Sequence, residues 1–526
     1  MKYGAAFGTT LNWGHATVAQ PGCGGRHIRC TRGRGVGGCS LVNGMLYNRG
    51  AREIYDAWGS GSGADSGSGA PTWSAEACLP YFKAHEDNSR GASAWHGAGG
   101  EVRIADIPWQ NLSPIATAFR EASVQAGHAD NGDQNSLDPS RSQLGVQVYQ
   151  CFVDERKGDG RRVTASRAFL PQGGATFDEL TLESNCTAAE IVLADAEEQE
   201  QEEGRAGLRA RGVRYLREDG SAVTAMARRE VVLSAGVIGS PQLLQLSGIG
   251  PASVFRSPPP EAAAAAAEGG WRWPRCRLEL EAVGEHLVDH PRVACRWESR
   301  LPGLDLSDCF SHVEGNLYAR SSLAQAAAAQ GSEPVLAVPD IQIQQDHVRT
   351  NDDMLSTPPL STGFNLKPHV AQPRSSGTVR LASADPAAKP RIDPRYLSDA
   401  EGRDLRCLVE GVQLARAVVA QPAFDHIRGA ELLPGPEVAT AEQLEAWVIA
   451  NADTGYHPVG TCRMAPSAEE GVVDMELRVH GVEGLRVVDA SVFPRIPNGN
   501  TQAATFMVAE RAAEFLLRAA CDRQTQ

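Results

Sequence analysis

The pattern of apolar and polar residues is clearest near residue 231, where it predicts a strand, a turn and a helix. The apolar run Val231–Leu233 leads into the small residues Ser234–Gly236 and then into a second apolar run from Pro241. This order predicts a buried strand, a tight turn and a helix with Ser240 and Pro241 in its first turn. Such a crossing lets the backbone approach a ligand closely, although an ordinary strand–turn–helix of an α/β protein has the same pattern.

Similar periodicities predict further elements along the chain. Apolar residues at helical spacing predict helices over Trp73–Glu86, Arg161–Leu170 and Ala400–Val419. Alternating or continuous apolar residues predict two strands within Leu180–Leu193 and single strands over Ile341–Val348 and Ser376–Ala384.

The stretch Leu485–Phe515 predicts a strand, a loop and a long helix. Asn500, Thr501 and Gln502 lie in the predicted first turn of that helix. The first backbone N–H groups of a helix have no partner within it, so this terminus can receive an electron-rich ligand.

Segments of low complexity interrupt the periodic pattern and predict exposed insertions and loops. Their composition buries too little apolar area to offset the entropy of ordering them. The predicted insertions are Gly59–Pro71, Phe255–Leu280 and Ala324–Gly331, and the acidic stretch Ala194–Gly204 predicts a solvated loop.

Composition and charge narrow the class of protein. The chain has 526 residues, of which 42% are hydrophobic and 22% charged, as in a soluble globular enzyme of two or three domains. Its net charge of −14 argues against a nucleic-acid partner and is compatible with a cationic substrate. Without an apolar run of about 18 residues, no transmembrane segment is expected.

The cysteines and the first residues bear on the compartment. The twelve cysteines show no C-x-x-C pair and no metal-ligand spacing, so we expect free thiols in a reducing compartment and no metal site. The first residues contain neither a secretory signal nor a transit peptide. These features leave cytoplasmic and organellar locations open.

Glycines 33, 35 and 38 form a literal G-x-G-x-x-G, and Glu53 follows Gly33 by twenty residues. A dinucleotide-binding fingerprint requires a buried strand before the glycines, whereas the preceding residues are basic and polar. The residues Leu46–Trp58 also do not predict a second strand that ends in an acid. The segment instead predicts a glycine-rich turn leading to a helix over Leu41–Tyr47, which either receives a phosphate or other electron-rich group or has no ligand.

Segments far apart in the sequence resemble the glucose-methanol-choline (GMC) flavoprotein oxidoreductases. Residues 37–50, GGCSLVNGMLYNRG, resemble the first GMC signature, and residues 231–251 resemble the second. Residues 283–291, VGEHLVDHP, and residues 456–464, YHPVGTCRM, resemble further family motifs. The resemblance extends from about Ala16 to Leu516.

The resemblance implies an α/β fold in two parts. The first is a Rossmann-like flavin-binding domain, incomplete at its N-terminus, formed by residues 1–58, 163–292 and 455–526. The second is an α+β substrate-binding domain with an antiparallel sheet, formed by residues 59–162 and 293–454.

The resemblance also implies FAD as the cofactor and a small-molecule alcohol as the substrate, which is oxidised to an aldehyde or ketone. Some family members attach flavin to a histidine at the position of Val42, so we expect non-covalent FAD here. The implied cofactor-binding residues are Val36, Gly37, Gly38, Asn43, Gly44, Met45, Leu46, Ala188, Ser234, Gly236, Asp489, Ala490, Thr501 and Gln502.

Alcohol oxidation transfers a hydride to the flavin and needs an acceptor for the hydroxyl proton. Histidine is suited to that task near neutral pH. His457 and Asn500 match the family's catalytic pair, which implies a general base and a hydrogen-bond partner of the substrate. A histidine before a proline is also a common structural loop residue. We expect ordinary structural roles for His286, His290 and His369.

One family feature is missing from this sequence, the N-terminal strand–GxGxxG–helix–strand–acid unit that binds the ADP half of FAD. We therefore expect the chain as written to be poorly soluble and to bind FAD weakly, with unpaired edges at Val231–Ser234 and Leu485–Val488.

Two alternatives to alcohol oxidation remain open. One is a non-oxidative flavoprotein of the same family, a hydroxynitrile lyase or a photodecarboxylase. Ala371 lies where the photodecarboxylase resemblance would require a cysteine, which argues against that enzyme. The other is an inactive remnant without FAD. The particular alcohol, the electron acceptor and the oligomeric state are left open.

Overall fold

A computed structural model describes residues 9–60, 71–108, 111–157, 160–170, 179–194, 207–256, 271–301, 311, 313–331, 338–347 and 363–522. The described helices are α1 Arg52–Ser60, α2 Ala75–His85, α3 Pro114–Gln125, α4 Ala165–Phe169, α5 Gly236–Leu246, α6 Ala252–Arg256, α7 Ser322–Ala329, α8 Arg403–Val419, α9 Ala441–Asn451 and α10 Gln502–Asp522.

Most of the described strands are two to four residues long. In the first half these are β1 His15–Ala16, β2 Arg29–Cys30, β3 Leu46–Tyr47, β4 Glu86–Asn88, β5 Val102–Asp106, β6 Gly145–Val148, β7 Gln150–Cys151, β8 Val153–Asp154, β9 Arg161–Arg162, β10 Thr187–Ala194, β11 Leu208–Leu216, β12 Ala222–Met226 and β13 Val231–Leu233. In the second half they are β14 Ile249–Gly250, β15 Leu278–Glu279, β16 Pro291–Arg292, β17 Cys295–Ser299, β18 Val313–Ala319, β19 Ile341–Asp346, β20 Gly363–Val370, β21 Thr378–Arg380, β22 Arg391–Asp393, β23 Arg428–Leu433, β24 Asp453–Thr454, β25 Val482–Glu483 and β26 Leu485–Val487.

The largest sheet is antiparallel and has eight strands, in the order β23-β17-β20-β19-β18-β6, with β16 pairing to β20 and β24. Successive side chains of a strand point to opposite faces. On β20, Leu366 and Val370 join the core that includes Leu408 of α8. Lys367 and His369 line a cavity on the opposite face. The sheet therefore separates a hydrophobic core from the cavity.

The other half of the molecule contains the parallel pair β13–β26 and the long helix α10. Helix α10 packs against α2, and Phe493 and Phe515 contribute to the same core as Trp58. Val232, in the middle of β13, is 40% exposed. The predicted strand, loop and long helix over Leu485–Phe515 are confirmed, although the helix begins at Gln502.

The predicted turn after β13 is confirmed, but the following helix begins earlier than predicted. Helix α5 starts at Gly236, so Ser240 and Pro241 lie in its second turn. Gly236 has a φ of +79° and its N–H donates to Asp489 Oδ2 (2.8 Å), a contact from a distant segment that fixes the helix start. Such a long-range contact is not visible in the local pattern.

The predicted helix over Leu41–Tyr47 is wrong. Residues 38–41 form one short 3₁₀ turn, and Leu46–Tyr47 belongs to β3. Met45 has a φ of +63°, which a regular helix does not allow, and Leu46–Tyr47 pairs with β7.

Other local predictions are only partly confirmed. The helices over Trp73–Glu86 and Ala400–Val419 form as α2 and α8. Within Leu180–Leu193 only β10 forms a strand, and within Arg161–Leu170 the helix α4 begins after the strand β9.

Two predicted insertions contain ordered elements. The end of Phe255–Leu280 forms β15, which pairs with β14, and Leu280 is buried. The stretch Ala324–Gly331 largely belongs to α7, which is capped by Ser321. The low-complexity stretches at 61–70 and 195–206 lie outside the described residues.

Among the residues the structure describes, no helix is both long and apolar enough to cross a bilayer. The cysteines in this part of the chain are all free.

Candidate functional site

A cavity lies between the eight-stranded sheet and the N-terminus of α10. Both predicted catalytic residues, His457 and Asn500, line it. The remaining lining residues are Thr31, Arg32, Cys39, Val42, Asn43, Gly44, Leu46, Arg292, Val313, Gln344, Lys367, His369, Gly455, Tyr456, Thr501 and Gln502.

His457 is buried, and both of its ring nitrogens are engaged. Asn500 Nδ2 lies 2.9 Å from His457 Nε2, and His290 Nδ1 lies 3.0 Å from His457 Nδ1. Because an amide NH₂ only donates, Nε2 is the acceptor and Nδ1 carries the proton that is donated to His290. The lone pair of His457 Nε2 therefore points toward Asn500 and the cavity.

Asp289 fixes this histidine through the backbone. Its Oδ1 accepts from the N–H groups of His290 (2.9 Å) and His457 (2.7 Å). Its Oδ2 accepts from the hydroxyls of Tyr396 and Thr454. One buried carboxylate thus joins three separate segments around the histidine pair.

The environment keeps the histidines neutral. Burial lowers the pKa of His290 to about 3. Burial also lowers the pKa of His457 well below its ordinary value, and the other histidines, Arg32 and Arg292 lower it further. The pKa of His369 is likewise well below its ordinary value because of burial and the nearby Arg292. A neutral imidazole at His457 can accept a proton.

Asn500 is positioned by the tightly packed loop before α10. The side chain of Asn498 accepts from the N–H of Ala51 (2.7 Å), and its carbonyl accepts from the Tyr318 hydroxyl (2.8 Å). A Cβ at Gly499 would lie 2.5 Å from that hydroxyl and 2.6 Å from Asn48 Nδ2. Only glycine therefore allows the loop to approach this closely.

The cavity fits the isoalloxazine end of a flavin. Thr501 and Gln502 bring the N-terminus of α10 to its wall, where the first N–H groups of a helix can donate to a flavin carbonyl. The buried Asn500 Oδ1 has no hydrogen-bond partner within the described ranges, which leaves an acceptor for a ligand. Asn43 and Gly44 lie on the same cavity wall.

Five of the fourteen predicted cofactor residues line the cavity, namely Asn43, Gly44, Leu46, Thr501 and Gln502, while the others lie elsewhere. Gly37 and Gly38 belong to the glycine turn beside the cavity, Val36 is 42% exposed, and Met45 is buried in the core. Ala188 on β10 and Ser234 after β13 are exposed.

Gly236 and Asp489 contact one another at the start of α5, next to Ala490. Asp489 Oδ2 accepts from the Gly236 N–H and from the Ser240 hydroxyl (2.6 Å). Its Oδ1 accepts from the Ser491 N–H (2.8 Å). Asp489 therefore caps both the start of α5 and the short 3₁₀ turn Ala490–Val492.

Sequence reasoning missed several groups at the site. His290 and His369, for which we expected structural roles, both lie at the site: His290 contacts His457 and His369 lines the cavity. His286, in contrast, does not line it. The Asp-His pair in VGEHLVDHP was an available signal for His290.

Family models described as GMC oxidoreductase match residues 3–292 and 373–509. The oxygen-dependent choline dehydrogenases of Chromohalobacter salexigens and Paraburkholderia phymatum are each 34% identical over 96% of this chain, which covers 84% and 82% of their lengths. Pyridoxine 4-oxidase from Mesorbium loti aligns with a TM-score of 0.80 and 28% identity over 97% of this chain and 89% of that one. Formate oxidase aligns with a TM-score of 0.79 at 21% identity over 99% of this chain and 90% of its own, and thus shares the fold.

Proposed function

This chain belongs to the GMC oxidoreductase family, and from that premise we propose how its cavity oxidises an alcohol. The protein is an FAD-dependent oxidoreductase that acts on a CH–OH group of a small molecule. We propose His457 as the general base and Asn500 as the partner of the substrate oxygen. The observation that carries this proposal is the 2.9 Å contact between Asn500 and Nε2 of a buried, neutral His457.

When bound, FAD supplies the acceptor for the hydride that leaves the alcohol carbon. The substrate hydroxyl replaces Asn500 as the donor to His457 Nε2, which takes the proton, and Asn500 Nδ2 donates instead to the substrate oxygen as negative charge develops there. His290 accepts from His457 Nδ1 and holds the imidazole in the required tautomer. Asp289 positions the backbone of both histidines.

We propose non-covalent attachment of FAD. Val42 lines the cavity at the position that the family resemblance assigns to a flavin-linking histidine, and an isopropyl side chain cannot form such a bond. Acid precipitation should therefore leave the yellow colour in the supernatant, and colour retained in the pellet would contradict this assignment.

We further propose that the described residues hold the isoalloxazine end of FAD more firmly than its ADP end. Val232 is 40% exposed, and Ser234 and Ala188, which were predicted to contact the cofactor, lie at the surface away from the cavity. The relative affinities for FAD and FMN test this proposal.

The division into two domains that was predicted from the sequence remains our proposal. It is supported by a core that joins Ile115–Val146 to residues 293–452 through the large sheet. The stretch Trp73–Ile107, which was assigned to the substrate-binding domain, packs instead in the other core, with Trp58 and Phe515.

The test of the proposed base is His457→Ala. Losing a general base costs about 10²–10⁴ in rate. Alcohol turnover should fall by that factor while the flavin content per chain stays near that of the wild type, and Asn500→Ala should cost less. His128→Ala, at a half-buried histidine outside the cavity lining, is the matched control. Unchanged turnover in the His457 variant would rule out this role.

A further inference from the structure

Positive charge lines the sheet side of the active-site cavity. Arg292 pairs with His369 across β16 and β20, and Gln344 pairs with Lys367 across β19 and β20. All four of these residues line the cavity. Lys367 and His369 are two residues apart and therefore share one face of β20. Arg32, from the N-terminal segment, adds a third cationic side chain to the lining.

Two carboxylates are paired with these cations without lining the cavity themselves. Asp346 forms a buried ion pair with Lys367, and Asp453 Oδ2 lies 3.7 Å from Arg292. Burial raises the pKa of Asp453 and lowers the pKa of Lys367, so it disfavours the charged form of both groups. Of the described residues that line the cavity, none is Asp or Glu. The charged side chains of the described lining are therefore all positive.

The cations also affect the pKa values of the histidines in the cavity. Burial lowers the pKa of both rings most; Arg32 and Arg292 lower that of His457 further, and Arg292 and Lys367 lower that of His369 further. Since a nearby positive charge disfavours the protonated imidazole, the contributions of these cations have the sign expected of a cationic cavity.

An aromatic cage for a quaternary ammonium is not formed by the described lining. Tyr456 is its single aromatic residue other than histidine, and the Arg292 guanidinium already lies over that ring, 5.2 Å from the centroid. Quaternary ammonium ligands are held by open aromatic faces and neighbouring anions. Here the ring face is covered by a cation.

We propose that the substrate is an alcohol that carries a carboxylate, a hydroxy acid, and not a cationic alcohol such as choline. This inference rests on the proposed alcohol oxidation and names the substrate class of the same site. Guanidinium groups bind carboxylates with matched planar geometry, which favours Arg292 as the main contact and Lys367 as a second positive charge.

The reaction leaves the carboxylate unchanged. The hydroxyl proton passes to His457 Nε2, and the hydride on the carbinol carbon passes to FAD. The hydroxy acid thereby loses two electrons and two hydrogens to become an oxo acid, and FAD is reduced by the same two electrons.

The test compares alcohols of similar length and different charge. FAD-loaded protein is mixed without oxygen with 4-hydroxybutanoate, 1-butanol or choline, and the bleaching of the flavin absorbance is followed. We expect 4-hydroxybutanoate to have the highest kcat/KM, at least about tenfold above 1-butanol, as for one hydrogen bond to a charged group. Preference for choline or for the neutral alcohol would overturn the proposal.

Binding without reaction separates this inference from the proposed function. Butanoate lacks the hydroxyl and should perturb the flavin spectrum of the wild type at lower concentration than tetramethylammonium. If butanoate binds but no alcohol bleaches the flavin, the proposed alcohol oxidation is wrong and the proposed anion site is supported. If tetramethylammonium binds more tightly than butanoate, the proposed anion site is wrong.

The variant Arg292→Glu reverses the charge at the proposed contact. It should weaken butanoate binding by about 10–100-fold, the loss expected for a hydrogen bond to a charged group. Arg228→Glu makes the same change at an exposed residue outside the cavity lining and should leave binding unchanged. Equal butanoate affinity in both folded variants would overturn the assignment. If Arg292→Glu fails to fold, the two wild-type ligands decide the matter.

Discussion

At the scale of single residues, the account depends on His457 remaining neutral in a buried, positively charged cavity. An imidazole in water has a pKa of about 6.5. Burial and neighbouring positive charge both lower this value at His457. The base is then ready to accept a proton at pH values where a free histidine is largely protonated.

This leads to a prediction for the pH profile of flavin reduction. Activity needs the neutral base and is lost as the pH falls through the lowered pKa of His457, so the acid limb should lie below about pH 6.5. Arg292→Gln removes one of the charges that lower this pKa and should move the limb upward. The exposed Arg228→Gln should leave it in place. An acid limb above pH 6.5 in the wild type would contradict the assignment.

At the scale of elements, the loop that leads into α10 determines where Asn500 lies. Its glycine, Gly499, is in contact range of the Tyr318 hydroxyl and Asn48. Tyr318 also accepts from Asn48 Nδ2 (2.9 Å) and donates to the Asn498 carbonyl (2.8 Å). A displacement of this loop would therefore move Asn500 away from His457.

We accordingly predict that Gly499→Ala lowers kcat/KM by about 10²-fold, the cost of roughly 1 Å of misplacement at a reacting centre. The added methyl group would have to displace Tyr318 and Asn48. Gly132→Ala is the matched control, because a Cβ there meets no atom within 4 Å. Equal kcat/KM values for the two variants would show that the loop does not position the site.

The elements also show what a sequence can predict. The helical spacing of apolar residues was enough to predict α2, where Ser74 caps the helix, and α8. It failed over Leu41–Tyr47, where Met45 has a positive φ and Leu46–Tyr47 pairs with the distant strand β7. Local spacing contains no information about such contacts.

In the candidate site, too, local sequence patterns predicted some residues, whereas residues that meet only through tertiary contacts were missed. His457 and Asn500 were predicted because each lies in a motif with recognisable neighbours. Arg292, Lys367 and His369 were missed because they meet only through the pairing of β16 with β20. Pairing between strands that are distant in sequence cannot be read from either strand alone.

At the scale of the whole molecule, overall charge and site charge have opposite signs. The chain has a net charge of −14, which was compatible with a cationic substrate. The cavity nevertheless presents Arg32, Arg292 and Lys367. Because solvent screens exposed charges over about 10 Å, the local groups determine which ligand is bound.

The distribution of predicted cofactor residues over the molecule gives a further prediction. If the described residues hold mainly the isoalloxazine end, FAD and FMN should bind with dissociation constants within about tenfold, a difference of about 1.4 kcal/mol. Titration of flavin fluorescence against protein measures both constants. A hundredfold preference for FAD would show that the ADP half has its own firm contacts.

The most direct test of the central claim, that His457 is the base of an alcohol oxidation, is chemical rescue of His457→Ala. Flavin reduction by the alcohol is followed by stopped flow, without oxygen, as imidazole is added. We predict a slow rate without imidazole and a rise in proportion to the unprotonated imidazole that enters the space left by the side chain. A wild-type rate without imidazole would contradict the claim.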